Sequence, residues 1–110
     1  MIDLEHLARY TGGEAWLDAE VLDLFSVQTG QMLKRLEAAL ETPDSQAWRE
    51  ITHSLKGAAN GVGAFSLGDA AAQAETVDPA KARDSAAEAF QLVKRCARIV
   101  SSFIDTYLGR

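Results

Sequence analysis

The chain has 110 residues, is 47% hydrophobic, and carries 11 Lys and Arg against 16 Asp and Glu for a net charge of −5. That length and apolar content suit a single domain with a real core and exclude global disorder. The acidic balance lacks the basic footprint a nucleic-acid-binding domain needs, and no apolar run is long enough to span a membrane.

Residues 2–10 read as a short amphipathic helix, with Ile2, Leu4, Leu7 and Tyr10 available to cover one end of a bundle, and Thr11-Gly12-Gly13 break it. A long helix is predicted from about Asp18 to Glu41, with Val21, Phe25, Met32, Leu33, Leu36 and Leu40 as core positions and Gly30 as a local weak point. Glu14, Asp18, Glu20 and Asp23 read as solvated faces. Thr42-Pro43-Asp44-Ser45 is a turn and helix start, with Asp44 or Ser45 as the cap. The helix that follows runs to about Val62, where Gly61 and Gly63 end it, the pair Asn60-Gly61 loosening its last turn.

Ser66, with Asp69 three residues on, offers a capping box for a helix over about Leu67–Thr76 that buries Leu67, Ala70, Ala71 and Ala74. Asp78-Pro79 starts another helical segment. Ala86, Phe90, Val93, Ala97, Val100, Ile104 and Tyr107 then step by threes and fours along a final helix. No strand pattern, repeat or low-complexity segment occurs. The fold class expected is all-α: an antiparallel four-helix bundle, up-down-up-down, over residues 18–108, with residues 1–17 as a short helix and loop covering one end. Residues 1–110 are expected to form one domain, and a start at Met1 with a full set of bundle helices leads us to expect a free-standing one.

Chemistry concentrates at His53. Trp48, Ile51, Leu55, Ala58, Ala59 and Val62 mark one helix face, and at 100° per residue His53 lies about 160° from both Ile51 and Leu55. The face centred on it carries Gln46, Arg49, Glu50, Lys56, Gly57 and Asn60. A neutral imidazole, whose unperturbed pKa is about 6.5, is a nucleophile and group carrier near neutral pH. Lys56, one turn along, puts an ammonium within reach of a phosphoryl group on the ring. Gly57, at i+4, costs about 1 kcal/mol of helix stability relative to alanine, and removes a side chain where a reacting partner must approach. An exposed histidine on a helix is most often a solvated residue, and the glycine beside it is what shifts that balance.

The run His53-Ser54-Leu55-Lys56-Gly57-Ala58-Ala59-Asn60-Gly61-Val62-Gly63-Ala64 resembles the signature of histidine-containing phosphotransfer (HPt) domains: His, any residue, an aliphatic, Lys, Gly, small residues, then an aliphatic-Gly pair. The likeness extends over residues 20–76. It implies a phosphorelay intermediate in two-component signalling, in which His53 accepts a phosphoryl group from a receiver-domain phospho-aspartate and passes it to another receiver aspartate. It further implies that Lys56 stabilises the phosphoryl oxygens, that Gly57 gives clearance, and that Glu75 occupies a position from which a polar side chain can orient the imidazole. Arg49, Glu50 and Asn60 are the residues expected to meet a docked partner, a receiver domain of a response regulator or a hybrid histidine kinase. No intrinsic cofactor is expected, Mg²⁺ being supplied by the receiver. With no nucleotide-binding glycine motif, the chain is not expected to be a kinase.

The alternative from a different class is a helical adaptor that binds a receiver or kinase without carrying phosphate. A hydrolase has little support, since Thr52, Ser54 and Ser66 have no visible base and orienter. The single Cys96 makes no internal disulfide and reads as a buried, inert thiol, and one cysteine with two distant histidines is a poor basis for zinc. Tyr10, Trp16, Trp48 and Phe65 read as core or end-cap aromatics, and His6 as incidental. The absence of a signal peptide gives the expectation of a cytoplasmic protein, and monomer is the default.

Overall fold

Five helices form in the computed structural model, which describes residues 1–110: α1 (Leu4–Thr11), α2 (Ala15–Glu41), α3 (Ser45–Val62), α4 (Phe65–Glu75) and α5 (Arg83–Leu108). Their ends follow from short-range chemistry. Asp3 caps α1 by accepting from the backbone N–H groups of Glu5 and His6, and Asp44 caps α3 by accepting from Ala47; each such cap contributes about 1 kcal/mol. Gly63 ends α3 in the left-handed region at φ +87°, and a Cβ there would lie 2.6 Å from the Asp3 carbonyl oxygen. That close approach lets the Asp3 N–H donate to Gly63 O at 2.9 Å and ties the start of α1 to the end of α3.

The helices α2 to α5 form a closed ring. Each packs on its neighbour in the chain, α2 and α5 meet to close it, and diagonal partners make no close approach. This is the antiparallel up-down-up-down bundle, with α1 packed across α2 and α3. The core is one cluster of 21 buried residues, among them Leu22, Phe25 and Leu36 of α2, Trp48, Ile51 and Leu55 of α3, and Phe90, Val93 and Ile104 of α5. The α4 contribution is nearly all small: Ala70, Ala71 and Ala74 beside Leu67. Small side chains let α4 lie close on α3, and Gly68 marks how close, because a Cβ there would lie 2.0 Å from Asn60 Oδ1.

Several local expectations are corrected. Ser66 does not cap α4: the helix starts at Phe65 behind Ala64, because the Gly63 turn redirects the chain within two residues. Gly61 does not end α3, and the pair Asn60-Gly61 stays helical, since Asn60 packs over Gly68. Asp78-Pro79 starts no helix. The Asp78 carbonyl accepts from Lys81 and Ala82 in a turn, while its carboxylate accepts from the Ser45 hydroxyl and the Ala80 N–H. Those two bonds, the serine foremost, hold the Asp78 carboxyl below the usual carboxylate range.

On α2 the helix begins at Ala15, and the buried phase runs through Leu22, with Val21 only partly covered. Asp18 is buried rather than solvated, accepting from the Thr11 hydroxyl across the α1–α2 turn. Of the four aromatics only Trp48 is in the core. Tyr10, Trp16 and Phe65 are exposed, and His6 stacks edge-on between Tyr10 and Phe65, with ring centroids 5.7 and 5.1 Å away. Leu4 is also exposed, and Cys96 is only partly buried. No helix is long and apolar enough to cross a membrane.

Candidate functional site

The stripe that buries α3 also aims His53. Trp48, Ile51, Leu55 and Ala59 face the core, and Thr52, fully buried, satisfies its hydroxyl by donating to the Trp48 carbonyl at 2.8 Å. With both neighbours of this turn committed inward, the imidazole stands out from the helix, its side chain 68% exposed. Lys56 lies one turn along on the α4 side, and Gly57 beside the ring opens on empty space, with nothing within 4 Å of where a Cβ would be. The histidine is therefore open to a macromolecular partner from the Gly57 side.

The α4 side is where the ring is held. Glu75 is the last residue of α4, and its carboxylate bridges two residues of α3: Oε2 lies 2.9 Å from His53 Nδ1, and Oε1 accepts from Lys56 Nζ at 2.7 Å. Register for this bridge comes from the residue before it, since the buried Trp48 indole N–H donates to the Ala74 carbonyl at 2.8 Å. Asn60 over Gly68 holds the same two helices together at the other end, and Ser45 ties the start of α3 to Asp78 in the turn that follows α4. The Glu75 carboxyl is held below its usual range, chiefly by the Lys56 hydrogen bond, which outweighs the opposing effect of burial, with the His53 hydrogen bond adding to it. It is therefore ionised at neutral pH.

An ionised carboxylate only accepts hydrogen bonds. The contact at Nδ1 thus places a proton on that nitrogen, and the neutral ring keeps its lone pair on Nε2, directed away from Glu75. The arrangement can present a nucleophilic nitrogen of defined tautomer, with a cation one turn away.

Of the remaining predicted residues, Arg49 and Glu50 are exposed on the His53 face, and Glu50 accepts from the Gln46 amide at 3.2 Å. Asn60 shares that face in angle only, since it is half-buried and turned onto α4. No group of three or more His, Cys, Asp or Glu side chains converges to hold a metal ion. What sequence reasoning missed is the positioning set, the Trp48–Ala74 and Asn60–Gly68 contacts. An aromatic at the core and a glycine within a predicted helix were their only signals.

The family model described as Hpt domain matches residues 20–102. Comparison with curated protein sequences finds no match. Among solved structures, the chain is similar to histidine-containing phosphotransfer protein B (HptB) from Pseudomonas aeruginosa PAO1, at 26% sequence identity and a TM-score of 0.85, with 99% of this chain and 95% of that one covered.

Proposed function

The chain belongs to the Hpt domain family and serves histidine phosphotransfer in a phosphorelay, and from that premise we propose that His53 is its phosphoacceptor. The observation that carries this assignment is the bridge of Glu75 between His53 and Lys56, beside the open flank at Gly57. His6, the other histidine, is half-buried between two aromatic rings and has no cation or carboxylate partner.

In the reaction, the Nε2 lone pair attacks the phosphorus of a receiver's phospho-aspartate. The bond from phosphorus to the aspartate oxygen breaks, and the carboxylate leaves with that electron pair. Glu75 keeps the proton on Nδ1 and the ring in orientation, so that no reorganisation of the histidine is needed at the moment of attack. Lys56 exchanges its contact with Glu75 for one with the phosphoryl oxygens, a charge-assisted bond. Gly57 admits the receiver. The reverse sequence delivers the phosphoryl group to a second receiver aspartate. Mg²⁺ held in the receiver's acidic pocket screens the phosphoryl charge; the chain adds no cofactor of its own.

Hpt domains interact with receiver domains and histidine kinases, and the receiver-facing surface is assigned to Arg49 and Glu50 around His53, with Asn60 at its edge on the α4 side. The chain is a phosphocarrier rather than a kinase, and we assign it no ATP-binding or autokinase machinery. Residues 1–110 are taken as one domain acting as a cytoplasmic monomer.

The test is transfer from a phosphorylated receiver to the wild type and to His53→Gln. Acid-labile, alkali-stable label on the wild type alone is expected, with unchanged helicity in the variant, because the side chain is 68% exposed. An adaptor without phosphate would take label in neither protein and bind the receiver equally in both.

A further inference from the structure

The α2–α5 seam, on the opposite side of the bundle from the α3–α4 pair, does not close. It holds a cleft of about 210 Å³ whose floor includes Phe25, Leu33, Val100 and Ile104. Two features make it more than loose packing. Gly30 borders it from the middle of a 27-residue helix, with nothing within 4 Å of where a Cβ would be, so no neighbour requires a glycine there. A mid-helix glycine lowers helix stability, and this one stands at the cleft's border with no packing reason for it. Thr29 lines the same cleft at 7% exposure, and its buried hydroxyl has no hydrogen-bond partner in the protein, the one such side-chain atom in the molecule. A buried polar group without a partner is unfavourable.

The mouth is cationic. Lys94 and Arg98 of α5 line the cleft one turn apart, and neither is engaged in an ion pair. Glu37 shares the adjoining groove with Lys94 without pairing to it. Size adds to this picture, because an apolar cavity of roughly 150 Å³ holds benzene, and this one is somewhat larger.

We propose that the α2–α5 cleft is a binding site for a small amphiphilic anion: an apolar body about the size of one ring seated between Phe25 and Ile104, and a carboxylate at Lys94 and Arg98. Phosphotransfer at His53 does not use this site, and its occupation leaves the His53 face clear.

The experiment is an amide chemical-shift titration of the full chain with benzoate, and separately with toluene as the neutral probe of similar shape. Saturable shifts on α2 and α5 around Thr29 and Ala97 are expected with benzoate at millimolar concentration. The Lys94→Ala/Arg98→Ala double variant is expected to weaken binding by about tenfold, the equivalent of one hydrogen bond to a charged group. Gly30→Leu, which fills the cleft from an exposed helix position, is expected to abolish it while keeping the helical spectrum. The proposal is overturned by any of three results: no saturable shift with benzoate; shifts spread over surface cations and unchanged in Gly30→Leu; or toluene binding as tightly as benzoate with no loss in the double variant, which would make the cleft an apolar void only.

Discussion

The two long seams of the bundle are built to opposite specifications. Along α3–α4 most of the buried side chains contributed by α4 are small, with Ala70, Ala71 and Ala74 facing Ala59 and Trp48 of α3, and the helices come so close that Gly68 has no room for a methyl group beside Asn60. Along α2–α5 the side chains are large, including Phe25, Phe90, Val100 and Ile104, yet a cleft remains and a buried hydroxyl goes unpartnered. Close approach is what the His53 site requires: a carboxylate at the end of one helix can bridge two residues of the next only if the backbones are near and their register is set. Large side chains bury more apolar area per residue, but they hold the α2 and α5 axes apart and fill the space between them less completely. In this bundle the tight seam carries the reacting group, and stability comes from both.

The sharpest way to break the tight seam is Trp48→Ala. It removes the largest fully buried side chain and the indole bond to Ala74, and the loss expected from such truncations is about 3–5 kcal/mol. Urea unfolding would measure it, and transfer to His53 should slow beyond what the folded fraction explains, because Glu75 follows Ala74. Next comes Lys56→Ala, which leaves the fold intact and deprives the phosphoryl group of its cation. The loss of about 1.5–3 kcal/mol for a bond to a charged group corresponds to transfer slower by about tenfold or more, read from single-turnover label on His53.

A smaller effect separates the seams by a single methyl. Gly30→Ala meets nothing and should raise stability by about 0.5–1 kcal/mol, from helix propensity alone. Gly68→Ala has the same propensity gain but displaces the Asn60 amide, so its net stabilisation in the same urea series should fall short of that of Gly30→Ala.

The smallest effect is electrostatic. The Glu75 carboxyl is held below its ordinary value of 4.5 by Lys56 first and His53 after it, so its stabilising contribution is fully present above that value and is lost as pH falls through the lower folded value. Unfolding midpoints of wild type and Glu75→Gln should therefore converge as pH drops below about 4.5, and the variant should lack that acid-side dependence. At neutral pH Glu75→Gln still offers an amide oxygen to Nδ1–H, so transfer should slow less than in Glu75→Ala.

Much of this was legible before any coordinates. The 3.6-residue period placed Leu55 and Ile51 inward and His53 outward, put Lys56 one turn along, and made Gly57 conspicuous; these are properties of one helix, and a periodic sequence determines them. The final helix, from Ala86 to Ile104, was legible for the same reason. Capping was less so, because Ser66 has the right residue type and the backbone never used it: Gly63 and Ala64 had already turned the chain. Asp18 and the exposed Trp16 and Phe65 were misread because their burial depends on where α1 comes to rest.

What the sequence determined by itself is the set of helices, their buried faces and the histidine with its cation. What only the tertiary structure decided is everything that passes between helices: that Glu75 reaches both His53 and Lys56, that Trp48 and Asn60 set the α3–α4 register, and that α2 and α5 leave a cleft at Thr29. The reason is physical. Periodicity reports the direction of a side chain about its own axis, whereas contacts between helices depend on axial register and on the distance between axes, which the packing of the whole core settles together.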